Sequence, residues 1–183
     1  MRLQIDGEKK EIKSHGSYGF PVLISHERLS YFDTGEFPWH WHPEIELTLV
    51  EEGEIAYQVN DSLYHLKAGE GLFCNTNVLH SGHREQTEDC SYLSVTFHPR
   101  LLYGYRSSVM QDKYMDHILK SASLASIHFV PEEAWHGRVL EQIGRIRLLD
   151  QEHPVSEELQ IQIALFQIWQ EIFEHVEVNE TGY

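Results

Sequence analysis

The sequence predicts a mainly β domain, a sandwich or barrel, followed by a carboxyl-terminal α-helical hairpin. Three observations carry this reading. Between Phe20 and Phe97, short apolar runs alternate with turn residues at close spacing, the pattern of an all-β sandwich or barrel. After His98-Pro99 the hydrophobic period lengthens from two to about 3.6. A set of candidate ligands, His40, His42 and Glu46 with His80 further on, falls inside the β-rich part.

Residues 1–19 are polar and punctuated by glycine, so they read as an arm or a first edge strand. Phe20 to Ile24 reads as a strand. His40 to Val50 is read as extended: residues alternate faces along a strand, so His40, His42 and Glu46 share one face, and Thr48 and Val50 turn the same way. A helix would also bring His42 and Glu46 together at i and i+4. Pro43, the part-apolar run Ile45 to Val50 and the stop at Gly53 argue for the strand. Trp39 and Trp41 then face the other side, under the arm or against the helices.

Ile55 to Val59 alternates cleanly, and Asn60-Asp61 makes a two-residue hairpin turn into Ser62 to Leu66. Lys67 to Gly71 is the next turn, before Leu72-Phe73-Cys74. Asn75-Thr76-Asn77 is a polar loop leading to His80. Ser91 to Phe97 is the last strand, with Leu93, Val95 and Phe97 on one face. Tyr57 and Phe97 are candidates for a pocket wall.

Ser107 to Ser121 is expected to form a short helix carrying Met110, Tyr114 and Ile118. Pro131-Glu132-Glu133 opens a second, with proline and acids in its first turn and the stripe Trp135, Val139, Ile143 and Ile146. His153-Pro154 breaks it, and Ser156 caps a third helix running to about Val176. That helix has two apolar stripes. Leu159, Ile163, Phe166 and Phe173 form one; Ile161, Leu165, Ile168 and Ile172 form the other, with Trp169 between. One face can pack on its own domain and the other asks for a partner. Ile161, Leu165, Ile168, Trp169 and Ile172 are taken as the homodimer face. The expected organisation is an arm (1–19), a barrel (20–98), a helical dimerisation segment (99–178) and a tail (179–183).

The chain has 183 residues, enough for one domain with a real core, and its formal charge is −15, from 29 acidic and 14 basic residues. So acidic a chain is a poor candidate for gripping a phosphate backbone by itself. Met1 to Lys13 is too polar for a signal peptide, and no segment could span a bilayer. Cys74 and Cys90 have no CxxC spacing and read as buried thiols in a reducing, cytoplasmic compartment. There is no Ser-His-Asp order, phosphate loop or nucleophile elbow.

The stretch His40-Trp41-His42-Pro43-Glu44-Ile45-Glu46, with six further residues to Gly53, resembles the first cupin motif. Gly69 and His80 match the second motif. Asn75 and Asn77 stand where that family often has Pro and Gly, and Arg84 replaces a common Asn. The ordered set, including Lys67 to Gly71, Asn77 to Ser81 and the strand ending in Phe97-His98-Pro99-Arg100-Leu101-Leu102, resembles the amino-terminal sensor domain of AraC-type transcription regulators over roughly residues 16–176. The resemblance implies a cupin-like β-barrel (jelly roll), a small-molecule effector such as a sugar or similar metabolite, and dimerisation through the last helices. It also implies that DNA is read only by a helix-turn-helix domain absent from this chain, which is then expected to be a fragment of a longer regulator.

Three imidazoles and a carboxylate suit one divalent transition metal, with zinc, nickel, iron and manganese not separable from sequence. His40, His42, Glu46 and His80 are the expected ligands. Alternatively these residues line a polar pocket and bond an organic ligand or one another. The expected effector contacts are His40, His42, Glu46, Thr48, Tyr57, His80 and Arg84. A sensor without catalytic residues is the favoured reading. The competing one is a stand-alone cupin metalloenzyme, a dioxygenase or isomerase using the same four ligands; a structural dimerisation domain with a vestigial pocket is a third.

Overall fold

A computed structural model describes residues 3–85 and 88–176. The tail expected at 179–183 and the last two residues of the helical segment lie outside the described residues. Two antiparallel sheets form a cupin-like barrel. One has the strand order β1-β8-β3-β6-β9, from β1 (Val22–Arg28), β3 (Ile45–Glu52), β6 (Gly71–Cys74), β8 (Ser91–Phe97) and β9 (Ser126–Phe129). The other has the order β2-β7-β4-β5, from β2 (Glu36–His40), β4 (Glu54–Val59), β5 (Ser62–Lys67) and β7 (His80–Arg84). Helix α1 (Arg100–Tyr103) follows β8; a π-helical turn (Met110–Met115) leads into α2 (Asp116–Leu119); α3 (Ala134–Glu152) and α4 (Glu157–His175) form the hairpin. No helix among the described residues is long and apolar enough to cross a membrane.

The central strands β3, β8 and β6 of the five-stranded sheet are buried on both faces over most of their length, which explains their composition. Along β8, Leu93, Val95 and Phe97 join the core shared with α3 and α4, while Tyr92 belongs to the barrel core and Ser94 and Thr96 line the barrel cavity. Phe97 therefore packs against the helices and is not a wall of the pocket. The barrel is more polar inside than on its helix-covered side, because the helices supply the apolar partner for one face. On the other sheet Phe37, Ile55, Tyr57, Val59 and Leu66 close the barrel core.

The hairpin at Asn60-Asp61 forms as the sequence predicts, with Asn60 at φ +49°. Gly53 makes the tight β3–β4 connection at φ +77°; a Cβ there would lie 2.3 Å from the carbonyl oxygen of Asp89. Three strands differ from the sequence reading. No single strand runs through His40 to Val50, as described below. β7 begins at His80 instead of ending a loop, and β9 arises from within the segment expected to be helical. β9 has only four residues and owes its existence to pairing with β6 (Gly71 with Phe129, Cys74 with Ser126), a non-local contact that periodicity cannot show. The helix expected over 107–121 is broken into the π-helical turn and α2, which bury Met115 and Ile118.

The last helix corrects the expected dimer face. Ile161, Leu165, Ile168, Trp169 and Ile172 are all buried within this chain, against α3 and the outer face of the sheet. Trp169 also donates its indole N–H to the Tyr114 carbonyl at 2.9 Å. The stripe left outside is the other one: Leu159 and Ile163 are 62% and 43% exposed. The reason is that the more continuously apolar face found its partner in the barrel, the nearest apolar surface.

Candidate functional site

β2 ends at His40 and β7 begins at His80, and the antiparallel register pairs these two residues, with ring centroids 4.1 Å apart. His42 lies in the loop beyond β2. Pro43 cannot continue a ladder, so the chain leaves one sheet after His40 and enters the other at Ile45. His40 and Glu46 consequently do not share a strand. They converge because the inner faces of the two sheets oppose each other. The backbone of His42 is held by the Asn77 N–H, which donates to its carbonyl at 2.9 Å.

Nδ1 of His40 donates to the Pro38 carbonyl and Nδ1 of His80 to the Val78 carbonyl, each at 2.9 Å. These bonds fix the tautomer and leave both Nε2 atoms as lone pairs. Among the described residues, Nε2 of His80 and both ring nitrogens of His42 have no hydrogen-bond partner, although the two residues are 1% and 3% exposed. The ligand atoms of His40, His42 and His80 lie within 4.8 Å of one another. Burial pushes His80 down to about 3, helped by the neighbouring His40, and burial also lowers His40. Neutral imidazole is the form that ligates metal. Each buried polar atom left unpaired costs about 1–3 kcal/mol. Nε2 of His80 and one ring nitrogen of His42 meet at one point, a cost that a bound cation would remove. The residues therefore fit a divalent transition metal, which His40, His42 and His80 would hold.

Glu46 stands beside this triad. Its Oε2 is 3.4 Å from Nε2 of His42 and accepts from Thr96 at 3.3 Å; its Oε1 accepts from the Tyr57 hydroxyl at 2.8 Å and from Thr48 at 3.3 Å. Burial acts to raise its carboxyl, but the surrounding His42, His80 and His40 rings hold it well below the usual carboxylate range. Burial and then the Glu46 charge push the Tyr57 phenol well above its ordinary value, so it stays a donor. Tyr57 also stacks on His80 at 6.0 Å. Arg84 is not in this constellation. It lies four residues along β7 from His80, roughly 13 Å at strand rise, is exposed, and covers Gly35.

A cavity of about 60 Å³ lies between the sheets next to the triad, lined on the barrel side by Ser25, Glu27, His40, Glu46, Ser94 and Thr96. The arm reaches into it with Leu3, Glu11, Lys13 and His15. The arm is fastened along the loop beyond β2: Trp41 N donates to Lys9 O, Glu11 N to Trp41 O, and the Trp41 indole to Glu8 O. Trp41 thus packs under the arm, one of the two placements expected. His15 is pinned between two carboxylates, with Nε2 2.8 Å from Glu11 and Nδ1 3.1 Å from Glu44.

Sequence reasoning missed the arm residues, Glu27 and the inward hydroxyls. The signal for Ser94 and Thr96 was available: they are the polar alternates on a strand whose other positions are apolar. For Glu11, His15 and Glu27 no local signal existed.

These positions lie in or beside a recognisable stretch. Residues 29–168 match the family model of the AraC-like ligand binding domain. The chain belongs to this family. The AraC-like domain is 25% identical over 168 residues to an uncharacterised HTH-type transcriptional regulator, YdeC, of Bacillus subtilis (strain 168); the match covers 92% of the chain but spans only 57% of that regulator. Solved structures similar to it include a predicted oxalate decarboxylase from Thermotoga maritima, 24% identical, covering 41% of this chain and 64% of that one with a TM-score of 0.38. Another is an RmlC-like cupin family protein with a double-stranded β-helix fold from Methanocaldococcus jannaschii, 20% identical, covering 43% and 72% with a TM-score of 0.38. The AraC-like domain is a sensing domain of the kind carried by transcription regulators, on a cupin fold.

Proposed function

We propose that this AraC-like domain senses a small polar metabolite, a sugar or a molecule of similar polarity, beside a metal held by His40, His42 and His80. The observation that carries the reading is the buried triad of imidazoles whose ligand atoms lie within 4.8 Å of one another beside a polar cavity. Ser25, Ser94, Thr96 and Glu27 supply hydroxyls and a carboxylate suited to a hydroxyl-bearing ligand. At about 60 Å³ the cavity is far below the roughly 300–1,000 Å³ of a small-molecule site. An effector therefore enters by moving the arm, which gives the two states between which it discriminates. A metal held by His40, His42 and His80 would offer its open positions to the effector, and no turnover is assigned to it. The domain works in the cytoplasm as a homodimer through the outer stripe of α4, and meets DNA only through a separate domain.

The test is elemental analysis of protein purified without chelator and reconstituted with zinc, nickel, iron or manganese, followed by calorimetric titration with a panel of sugars and polar metabolites. One metal per chain, and an effector whose binding is lost in His42→Ala, are the expected results. Failure to load any metal, or effector binding unchanged in His42→Ala, would overturn the reading.

A further inference from the structure

His42 sits between two carboxylates, one at each ring nitrogen. Nε2 is 3.4 Å from Glu46 and Nδ1 is 3.7 Å from Glu44, and neither nitrogen has a hydrogen-bond partner among the described residues. The Nε2 side belongs to the triad. On the Nδ1 side stands a second group, His15, His42 and Glu44, whose ligand atoms also lie within 4.8 Å of one another. His15 comes from the arm and is 9% exposed. Its Nδ1 is directed at Glu44 and its Nε2 at Glu11, so Glu11 is placed to orient the ring as a carboxylate partner does behind a metal-bound histidine. A groove of about 540 Å³, lined by Ser14, Pro43, Glu44 and His98 among others, runs past this group and provides an entry path.

We propose that His15, Glu44 and Nδ1 of His42 form a second transition-metal site, with Glu11 as the positioning residue, and that this outer site and the triad are alternative positions for one ion. A neutral imidazole offers one lone pair and one N–H. With the ion at the triad, His42 binds through Nε2 and its Nδ1–H points to Glu44. With the ion at the outer site it binds through Nδ1, and its Nε2–H points to Glu46. Each position thus finds a carboxylate behind the shared ring. The outer position joins the arm to the barrel through a metal; the inner one does not.

Zinc alone serves as the probe, with equilibrium dialysis for stoichiometry and trypsin cleavage after Lys13 as the readout of arm attachment. Wild-type protein is expected to bind one zinc per chain. H40A/H80A, which lacks the triad, is expected to retain one zinc and to gain zinc-dependent protection of the arm. Adding H15A should abolish both, and adding E11Q should weaken zinc roughly ten- to hundredfold. Two zinc ions per wild-type chain, no zinc in H40A/H80A, or binding there that is indifferent to H15A, would each overturn the proposal. H80A alone, which keeps more of the core, repeats the comparison should the double variant not fold. This inference borrows only His42 from the triad, so loss of zinc in H80A without any effect of H15A counts against the outer site and leaves the sensing reading standing.

Discussion

The N–H of Asn77 donates to the carbonyl of His42 at 2.9 Å, tying the loop before β7 to the loop after β2 at the histidine that completes the triad. Asn77 does this at φ +60°, a left-handed conformation that Gly and Asn adopt readily. Asn77→Gly should therefore be close to neutral, whereas Asn77→Val should cost about 1–2 kcal/mol and weaken zinc binding. Urea unfolding of the two variants, with and without zinc, checks both halves.

Tyr57→Phe removes the 2.8 Å bond to a buried carboxylate while keeping the ring against His80. The expected loss is about 1–3 kcal/mol of folding stability. Equal denaturation midpoints for wild type and variant would show that Glu46 does not need this donor.

Arm attachment should depend on pH through His15. Burial lowers its proton affinity, but the bonds to Glu11 and Glu44 outweigh burial and raise it from 6.5 to about 9. The folded value lies above the unfolded one, so this contribution is complete below about pH 6.5 and disappears as pH rises through about 9. In metal-free protein, trypsin cleavage after Lys13, normalised to an unstructured peptide, should accelerate across that window, and His15→Ala should flatten the profile.

The two stripes of α4 separate folding from assembly. Ile168 is 2% exposed, so Ile168→Glu should unfold the chain, at more than about 4 kcal/mol. Ile163 is 43% exposed, so Ile163→Glu should leave the fold intact and yield a monomer. Sedimentation velocity and circular dichroism together decide; a wild-type monomer would sink the homodimer.

Loading the triad should stabilise the fold by mass action, about 2.7 kcal/mol with free zinc at a hundred times its dissociation constant. Thermal melts should rise with zinc and fall back with chelator in wild type. In H80A the zinc-dependent rise should be smaller, because only the outer site is left to load.

The sequence made the barrel, the hairpin at Asn60 and the two long helices legible, because periodicity and turn residues are local signals. His40, His42 and His80 were legible for a different reason: their order and spacing matched a known motif. What stayed hidden is non-local. Arg84 follows His80 closely in sequence, yet strand geometry carries it to the rim. His15 is far from His42 in the chain and meets it only because the arm folds back along Trp41. The choice between the stripes of α4 depended on which surface the barrel offered, and no helical periodicity contains that information.

β9 has a consequence for how the chain is made. Among the described residues the free edge of β6 is closed by Ser126–Phe129, which leaves the ribosome well after β8 has been completed at Phe97. Until then the nascent barrel presents an unpaired edge, a template for pairing with other chains. The strand that covers β6 thus comes from beyond the apparent end of the barrel, and a chain cut at Phe97 is expected to expose that edge and aggregate, which light scattering of the truncated protein checks.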